Sequence, residues 1–329
     1  MDVNTLSRRG FITMAAATAA VGAARAADGK PADGPRDYSH PERLDVPGVF
    51  GDGTRMYCLS NRSRSMMLST VFVSKDGHVA VVDGGEYGDY RFLAGFLQKL
   101  GGTVDWWFLT HAHEDHFGAL SSILKSGLIR KLKVKHLVYS FPDVSWYEKY
   151  EAKVMPHLRI LNEELAKYGD DLHVRKYVKG EHIRLGSSVD FEVLNDVDES
   201  ITFNAVNNSS ICMTATIAGK RILVTGDLGA EAGDKLVADL GPTRIRHDIL
   251  FMPHHGQSAT NKAFFEAVKP TVAIWPSTDW IWDNVADFGV HGLGPGPGSG
   301  NLNVNYYKCY LQEVGVRRQY VLTKDVVIS

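Results

Sequence analysis

The segment Leu109-Thr110-His111-Ala112-His113-Glu114-Asp115-His116-Phe117-Gly118 places three histidines and an aspartate within six residues. Imidazole nitrogen and carboxylate oxygen are the donors of Zn²⁺ and related divalent ions. In an extended segment His111 and His113 point the same way and reach one ion. Where the chain turns into a helix, Asp115 and His116 become neighbours and reach a second. Such ions lower the pKa of a coordinated water toward 7 and make it a nucleophile, so hydrolysis at a phosphorus or carbonyl centre is the expected chemistry.

Two further clusters have the same character. Leu223-Val224-Thr225-Gly226-Asp227 ends a buried strand in a carboxylate, and Ile249-Leu250-Phe251-Met252-Pro253-His254-His255-Gly256 ends another in two histidines. A carboxylate can hold two cations about 3.5–4 Å apart. Five of the 13 histidines fall in these short motifs. The others, His40, His78, His136, His157, His173, His182 and His247, are expected to be surface or core histidines without catalytic duty, His291 being taken up below. Val81-Val82-Asp83-Gly84-Gly85 is a third strand-end carboxylate. Asp83 there either orients a ligand histidine from behind or closes a turn on its own backbone.

The elements that position these groups alternate. Strands are expected at Met56–Leu59, Met66–Val73, Val79–Val82, Trp106–Leu109 and Leu137–Tyr139. Helices are expected at Tyr90–Leu100 and Gly118–Ser126, followed by a long helical stretch Ser145–Tyr168 kinked or split at Pro156. A second half repeats the order, with strands Val189–Leu194, Ile211–Ile217, Ile222–Val224, Ile249–Met252 and Val272–Trp275 and helices Ala230–Leu240 and Lys262–Val268. Lys75-Asp76-Gly77 and Ala218-Gly219-Lys220 read as hairpin turns. Two such halves imply an α/β fold of two facing sheets with helices outside. Lys131, Lys133 and Lys135 alternate as on a strand face that could meet phosphates, a solvated edge strand being the expected reading. Asp283–Asn305 is glycine-rich and reads as a long loop, and Trp275, Trp280, Trp282 and Phe288 lie around its start. Of these, Trp275 is expected in the core, the others as candidates to stack on bases or line a pocket.

The 329 residues include 36 Lys and Arg against 38 Asp and Glu, a net charge of −2, which does not favour a strongly basic nucleic-acid binder. Three cysteines without CxxC spacing exclude a disulfide scaffold and the simplest thiolate metal site. Residues 1–26 read as a signal peptide: Ser7-Arg8-Arg9-Gly10-Phe11-Ile12 resembles the twin-arginine export signal, the apolar run Phe11–Ala24 is too short for a comfortable membrane span, and Ala24-Arg25-Ala26 is a cleavage site. Export to the periplasm or outside the cell, without a stable membrane anchor, is the expectation. Removing Arg8, Arg9, Arg25 and Asp2 leaves 33 basic and 37 acidic residues. Residues 27–45 read as a linker and 46–329 as the functional domain.

These motifs resemble those of the metallo-β-lactamase superfamily, over Val79 to Gly85, Leu109 to Leu120, Thr225-Gly226-Asp227 and His254-His255-Gly256. More narrowly, Asn207-Asn208-Ser209-Ser210, Thr225-Gly226-Asp227 and Pro253-His254-His255-Gly256-Gln257-Ser258 resemble the nuclease-like domain of bacterial competence channel proteins. The resemblance implies a four-layer αββα sandwich and a divalent metal centre of one or two ions, Zn²⁺ or alternatively Mn²⁺. It implies His111 and His113 on one ion, Asp115, His116 and one of the His254-His255 pair on the other, and Asp227 between them. By position relative to Gly256, His254 is favoured as the ligand, with Asp115 and His255 in catalytic roles: Asp115 orienting the nucleophile, His255 or His291 protonating the leaving group. Asn207-Asn208-Ser209 stands where most dinuclear members have another histidine, leaving Asn208 as a weak ligand or supporting residue. Members with two irons resemble HxExD instead, which sets redox chemistry aside. The implied activity is metal-dependent hydrolysis of a small-molecule or oligonucleotide phosphodiester. A carbonyl-centre hydrolase (lactone, thioester or ester) is the alternative, and a metal-binding module without catalysis is a third reading.

Overall fold

The computed structural model describes residues 43–63, 66, 68–257, 260–282 and 304–329. The expected signal peptide, His291, Phe288, Ser258 and most of the glycine-rich segment lie outside them. The first strands are β1 (Arg43–Val46), β2 (Arg55–Leu59), β3 (Ser69–Val73), β4 (Val79–Asp83), β5 (Thr103–Phe108), β6 (Lys133–Val138) and β7 (His173–Arg175). The later ones are β8 (His182–Leu185), β9 (Val189–Val193), β10 (Met213–Ile217), β11 (Lys220–Val224), β12 (Ile249–Phe251), β13 (Val272–Trp275), β14 (Arg318–Val321) and β15 (Asp325–Ile328). One sheet runs β1-β15-β2-β3-β4-β5-β6-β7 and the other β14-β13-β12-β11-β10-β9-β8.

Side-chain alternation shows why these sheets pair face to face. Phe72, Ala80, Val82 and Phe108 of the first sheet meet Phe191, Met213, Ala215 and Ile222 of the second in one inner core. Val71, Val79, Val81 and Trp107 point the other way, into a second core. That core is shared with α1 (Tyr90–Lys99), α2 (Glu114–Lys125), α3 (Val144–Tyr150) and α4 (Met155–Ala166). The outer face of the second sheet, with Leu223, Leu250 and Ala273, forms a third core. Its helices follow α5 (Ala205–Asn208) and are α6 (Ala230–Arg244), α7 (Lys262–Val268), α8 (Asp279–Trp282) and α9 (Val304–Glu313). The layers are therefore helix, sheet, sheet, helix. With both faces covered, β4 is buried throughout, as strands of a doubly covered sheet must be.

In each sheet the antiparallel hairpins come first and parallel crossovers follow: β4, β5, β6 and β7 are parallel, as are β11, β12, β13 and β14. The Ala218-Gly219 turn is a tight two-residue hairpin, with Ile217 paired to Lys220 and both turn residues at positive φ.

Four expectations are corrected. The linker does not reach Asp45, because Arg43–Val46 is a strand whose partner, β15, is contributed by the far end of the chain. The lysine-bearing strand is not an edge: β6 pairs with β5 throughout and with β7 from His136 on, and Lys135 ion-pairs with Asp105 at 2.6 Å. The stretch Ser145–Tyr168 breaks at Glu151 (φ −151°, ψ 58°), and Pro156 opens α4 rather than kinking it, since an N–H at an early helical position has no acceptor within the helix to lose. The helix expected from Gly118 begins at Glu114, so Asp115 and His116 are helical residues of its first turn. Among the described residues no helix is long and apolar enough to cross a membrane.

Candidate metal centre

Each group singled out in the motifs follows the C-terminal end of a parallel strand: Asp83 ends β4, His111–His116 follow β5, Asp227 follows β11, and His254-His255 follow β12. The carboxyl ends of such strands are where open α/β sheets place their sites, because the loops there diverge from a rigid frame. Here two frames face each other and their loops meet.

Two groups of side chains converge. Asp115, His116, Asp227 and His255, all buried, bring one donor atom each within 4.8 Å of one another. His111, His113 and Asp227 do the same. Asp227 is common to both. Its Oδ1 lies 3.1 Å from His116 Nε2, and its Oδ2 lies 3.5 Å from His255 Nε2 and 3.8 Å from His111 Nε2. Donors held tetrahedrally at about 2.0–2.1 Å from an ion are about 3.3 Å apart, so these separations suit divalent ions.

The hydrogen bonds show what the donors lack. His116 Nδ1 donates to Asp83 Oδ2 at 2.9 Å, leaving Nε2 bare, buried and without a hydrogen-bond partner. Asp227 Oδ1, facing it, is equally orphaned. Leaving such atoms buried and unpaired costs about 1–3 kcal/mol each, more for charged groups, and a cation between them removes that cost. His255 Nδ1 donates to the Pro276 carbonyl at 2.7 Å, aiming Nε2 at Asp115 Oδ2, 3.0 Å away. His111 Nε2 and His113 Nδ1 face each other at 3.0 Å, so one nitrogen must carry a proton unless an ion takes its place. The residues present fit divalent metal.

Charge reinforces this. Burial pushes the Asp227 carboxyl up, but His116, His255 and His111 outweigh it and hold it well below the usual carboxylate range. Asp115 is likewise pushed up by burial and pulled below its ordinary value by His116 and His255. Burial and the neighbouring His116 lower the His111 imidazole well below its ordinary value, which keeps it neutral and able to donate a lone pair.

Asp83 sits behind both groups. Besides His116 it accepts the Thr110 N–H at 2.8 Å and the Thr110 hydroxyl at 2.9 Å, and that hydroxyl lies 3.1 Å from His111 Nδ1. One buried carboxylate thus orients a histidine of each group, one directly and one through Thr110. Thr110 and the Pro276 carbonyl were missed in the sequence reading, although Thr110 lies inside the motif.

Of the two adjacent histidines, His255 stands in the four-residue group, whereas His254, favoured from the sequence, does not. His255 Nδ1 bonds the Pro276 carbonyl, and its Nε2 faces Asp115 inside the four-residue group. His254 lies at the edge of the site, with Nε2 3.9 Å from Asp227 Oδ2. Asn208 is also corrected. Its Oδ1 accepts from Ala232 N and its Nδ2 donates to Glu231 and the Phe203 carbonyl, so it ties down the start of α6. The asparagine that faces the centre is Asn207, whose Nδ2 is 3.4 Å from His254 Nε2. Trp275 is buried and packs edge-on against Trp282, whose ring carries Lys308 at 3.5 Å, so this pair belongs to the outer core.

Comparison with known proteins places these features in context. Residues 66–275 match the family model of the Metallo-beta-lactamase superfamily. The chain is 31% identical over 189 residues to ComE operon protein 3 of Bacillus subtilis (strain 168), a match covering 56% of this chain and 21% of that protein. The chain thus spans about a fifth of that relative's length. Similar solved structures include the metallo-beta-lactamase fold protein YhfI from Bacillus subtilis, with 11% identity and a TM-score of 0.49, covering 83% of this chain and 98% of that one. Zn²⁺-bound PqqB from Methylobacterium extorquens is another, with 12% identity and a TM-score of 0.44, covering 84% and 99%.

Proposed function

Because the chain belongs to the metallo-beta-lactamase superfamily, we propose that it is an exported hydrolase of phosphodiesters that works with two divalent ions, Zn²⁺ in the first instance. The observation that carries this reading is the buried Asp227 carboxylate, shared by two converging donor groups, with Oδ1 facing His116 and Oδ2 within reach of both His255 and His111. Ions held there would supply a nucleophile at neutral pH and stabilise charge on both the attacking and the leaving oxygen, as in-line displacement at phosphorus requires. In this reading His111 and His113 hold one ion, His116, His255 and Asp115 the other, and Asp227 joins them. Asp83 keeps His116 directly, and His111 through Thr110, in the tautomer that offers a lone pair. Asp115 Oδ2 and His255 Nε2, 3.0 Å apart, would face the same ion, and the other Asp115 oxygen would accept a hydrogen bond from the attacking water. The likeness to the competence-channel domain favours a phosphodiester over a carbonyl substrate.

The test is turnover of an aryl phosphodiester by protein loaded with Zn²⁺ or Mn²⁺. Asp115→Ala should lower it about 10²–10⁴-fold, the range for losing a residue that handles the proton in the reaction. No turnover from protein that demonstrably holds two ions would sink the phosphodiester reading and bring lactones and thioesters forward.

A further inference from the structure

The two donor groups are unequal. The second has four residues, Asp115, His116, Asp227 and His255, and the first only three, His111, His113 and Asp227. Asp227 Oδ2 has one more imidazole in reach. His254 Nε2 lies 3.9 Å from it, much as His111 Nε2 does at 3.8 Å. We propose that His254 is the fourth protein donor to the first ion, reaching it by a small turn of its ring toward Asp227. The assignment rests on the two-ion reading above and extends it, since it gives the adjacent histidines one ion each.

Three observations support it. The backbone of His254 is held at φ 49° and that of His255 at φ 54°, two successive non-glycine residues in the left-handed region. Such strain persists where surrounding structure enforces it, and it collects at functional sites. The enforcing bonds are present: His254 N donates to the Gly226 carbonyl at 3.3 Å, immediately before Asp227, and Gln257 N donates to the His254 carbonyl at 2.8 Å. Beside the ring lies Asn207, whose Nδ2 is 3.4 Å from His254 Nε2 and whose Oδ1 is buried without a hydrogen-bond partner, so the residue neighbouring His254 carries an unsatisfied polar atom. Finally, the His254 side chain is 21% exposed while those of His255 and Asp227 are almost fully buried, which puts it on the open side of the centre, where the three-donor group is incomplete.

The experiment counts ions without any substrate. Metal-free wild type, His254→Ala, His254→Gly and His255→Ala are titrated with Zn²⁺ against a chromophoric chelator, and Co²⁺ absorbance reads the coordination. Wild type should take two equivalents. His254→Ala and His254→Gly should keep one class at wild-type affinity and bind the other at least about tenfold more weakly, the scale of losing support at a metal site. The class that His255→Ala weakens should be the one they preserve. His254→Gly guards against misfolding, because glycine adopts positive φ without strain. Two equivalents at wild-type affinities in both His254 variants would overturn the assignment, as would a wild type that never takes more than one. Failure to cleave phosphodiesters would leave this readout untouched, so the two proposals fail separately.

Discussion

Two adjacent histidines in left-handed backbone cost the fold roughly 1–2 kcal/mol apiece. They are held there by hydrogen bonds to the Gly226 carbonyl and from Gln257 N. That conformation brings both imidazoles near one oxygen, with His255 Nε2 3.5 Å and His254 Nε2 3.9 Å from Asp227 Oδ2, and it explains why the motif Pro-His-His-Gly did not disclose which ring enters the four-residue group. Spacing from a glycine reports position along the chain, while the φ of each histidine decides direction. The same holds for Asn207 and Asn208, where one turn of α5 sends the second amide to α6 instead of the site. By contrast His111, His113, Asp115 and His116 were readable, because strand and helix geometry fix which of them converge. His247 shows the opposite fate for a buried histidine. Its Nε2 accepts from the Thr214 hydroxyl at 2.8 Å, its Nδ1 donates to the Ile245 carbonyl, and burial lowers it from 6.5 to about 4. A depressed folded-state value means the unfolded chain binds the proton first. The stabilisation from His247 is complete above pH 6.5 and is lost as pH falls toward 4. In metal-free protein, His247→Gln should therefore flatten the acid side of the stability curve by up to about 3 kcal/mol, read by urea unfolding between pH 7 and 4. An acid limb parallel to that of wild type would refute this.

Among the elements, α2 carries the heaviest duty, since its first turn presents Asp115 and His116 while its apolar face enters the core beneath α1 and α4. It stays close to the loop after β4 because of Gly118. A methyl group there would stand 2.7 Å from Tyr87 N and 3.1 Å from the Glu86 carbonyl carbon, both backbone atoms that cannot swing aside. Glycine to alanine within a helix ordinarily gains about 1 kcal/mol. Here the sign should invert: Gly118→Ala is expected to destabilise the metal-free protein by about 1–3 kcal/mol, the usual cost of overpacking, as measured by urea unfolding. A gain in stability would show that α2 can move. The order of elements was readable from hydrophobic periodicity and turn residues, and the Ala218-Gly219 hairpin in particular follows from local chemistry. Short strands such as β7 and β8, and the interior position of β6, were not, because strand neighbours are chosen by residues far away in the chain.

Across the molecule, the centre draws its donors from both halves: His111 to His116 come from the first sheet's loops and Asp227 and His255 from the second's. Both donor groups are complete only with Asp227 of the second half in place, so loading is expected to follow folding, and the proposed export of folded protein suits such a chain. Replacing Arg8 and Arg9 by lysine should trap uncleaved precursor in the cytoplasm with its fold intact, and fractionation checks this; periplasmic mature protein from that variant would count against the export reading. The two-sheet architecture could be inferred from its repeated order of elements, but the seat of β15 could not. This last strand lies between β1 and β2 of the opposite half, with Val326 beside Cys58. There Asp325 receives Arg62 at 2.8 Å, 263 residues away in sequence. The first sheet is therefore joined between β1 and β2 by a pairing of very high sequence separation, and such pairings form slowly because loop-closure entropy must be met before the contact rewards it. Until it forms, the edge of β2 stands open to strands of other molecules.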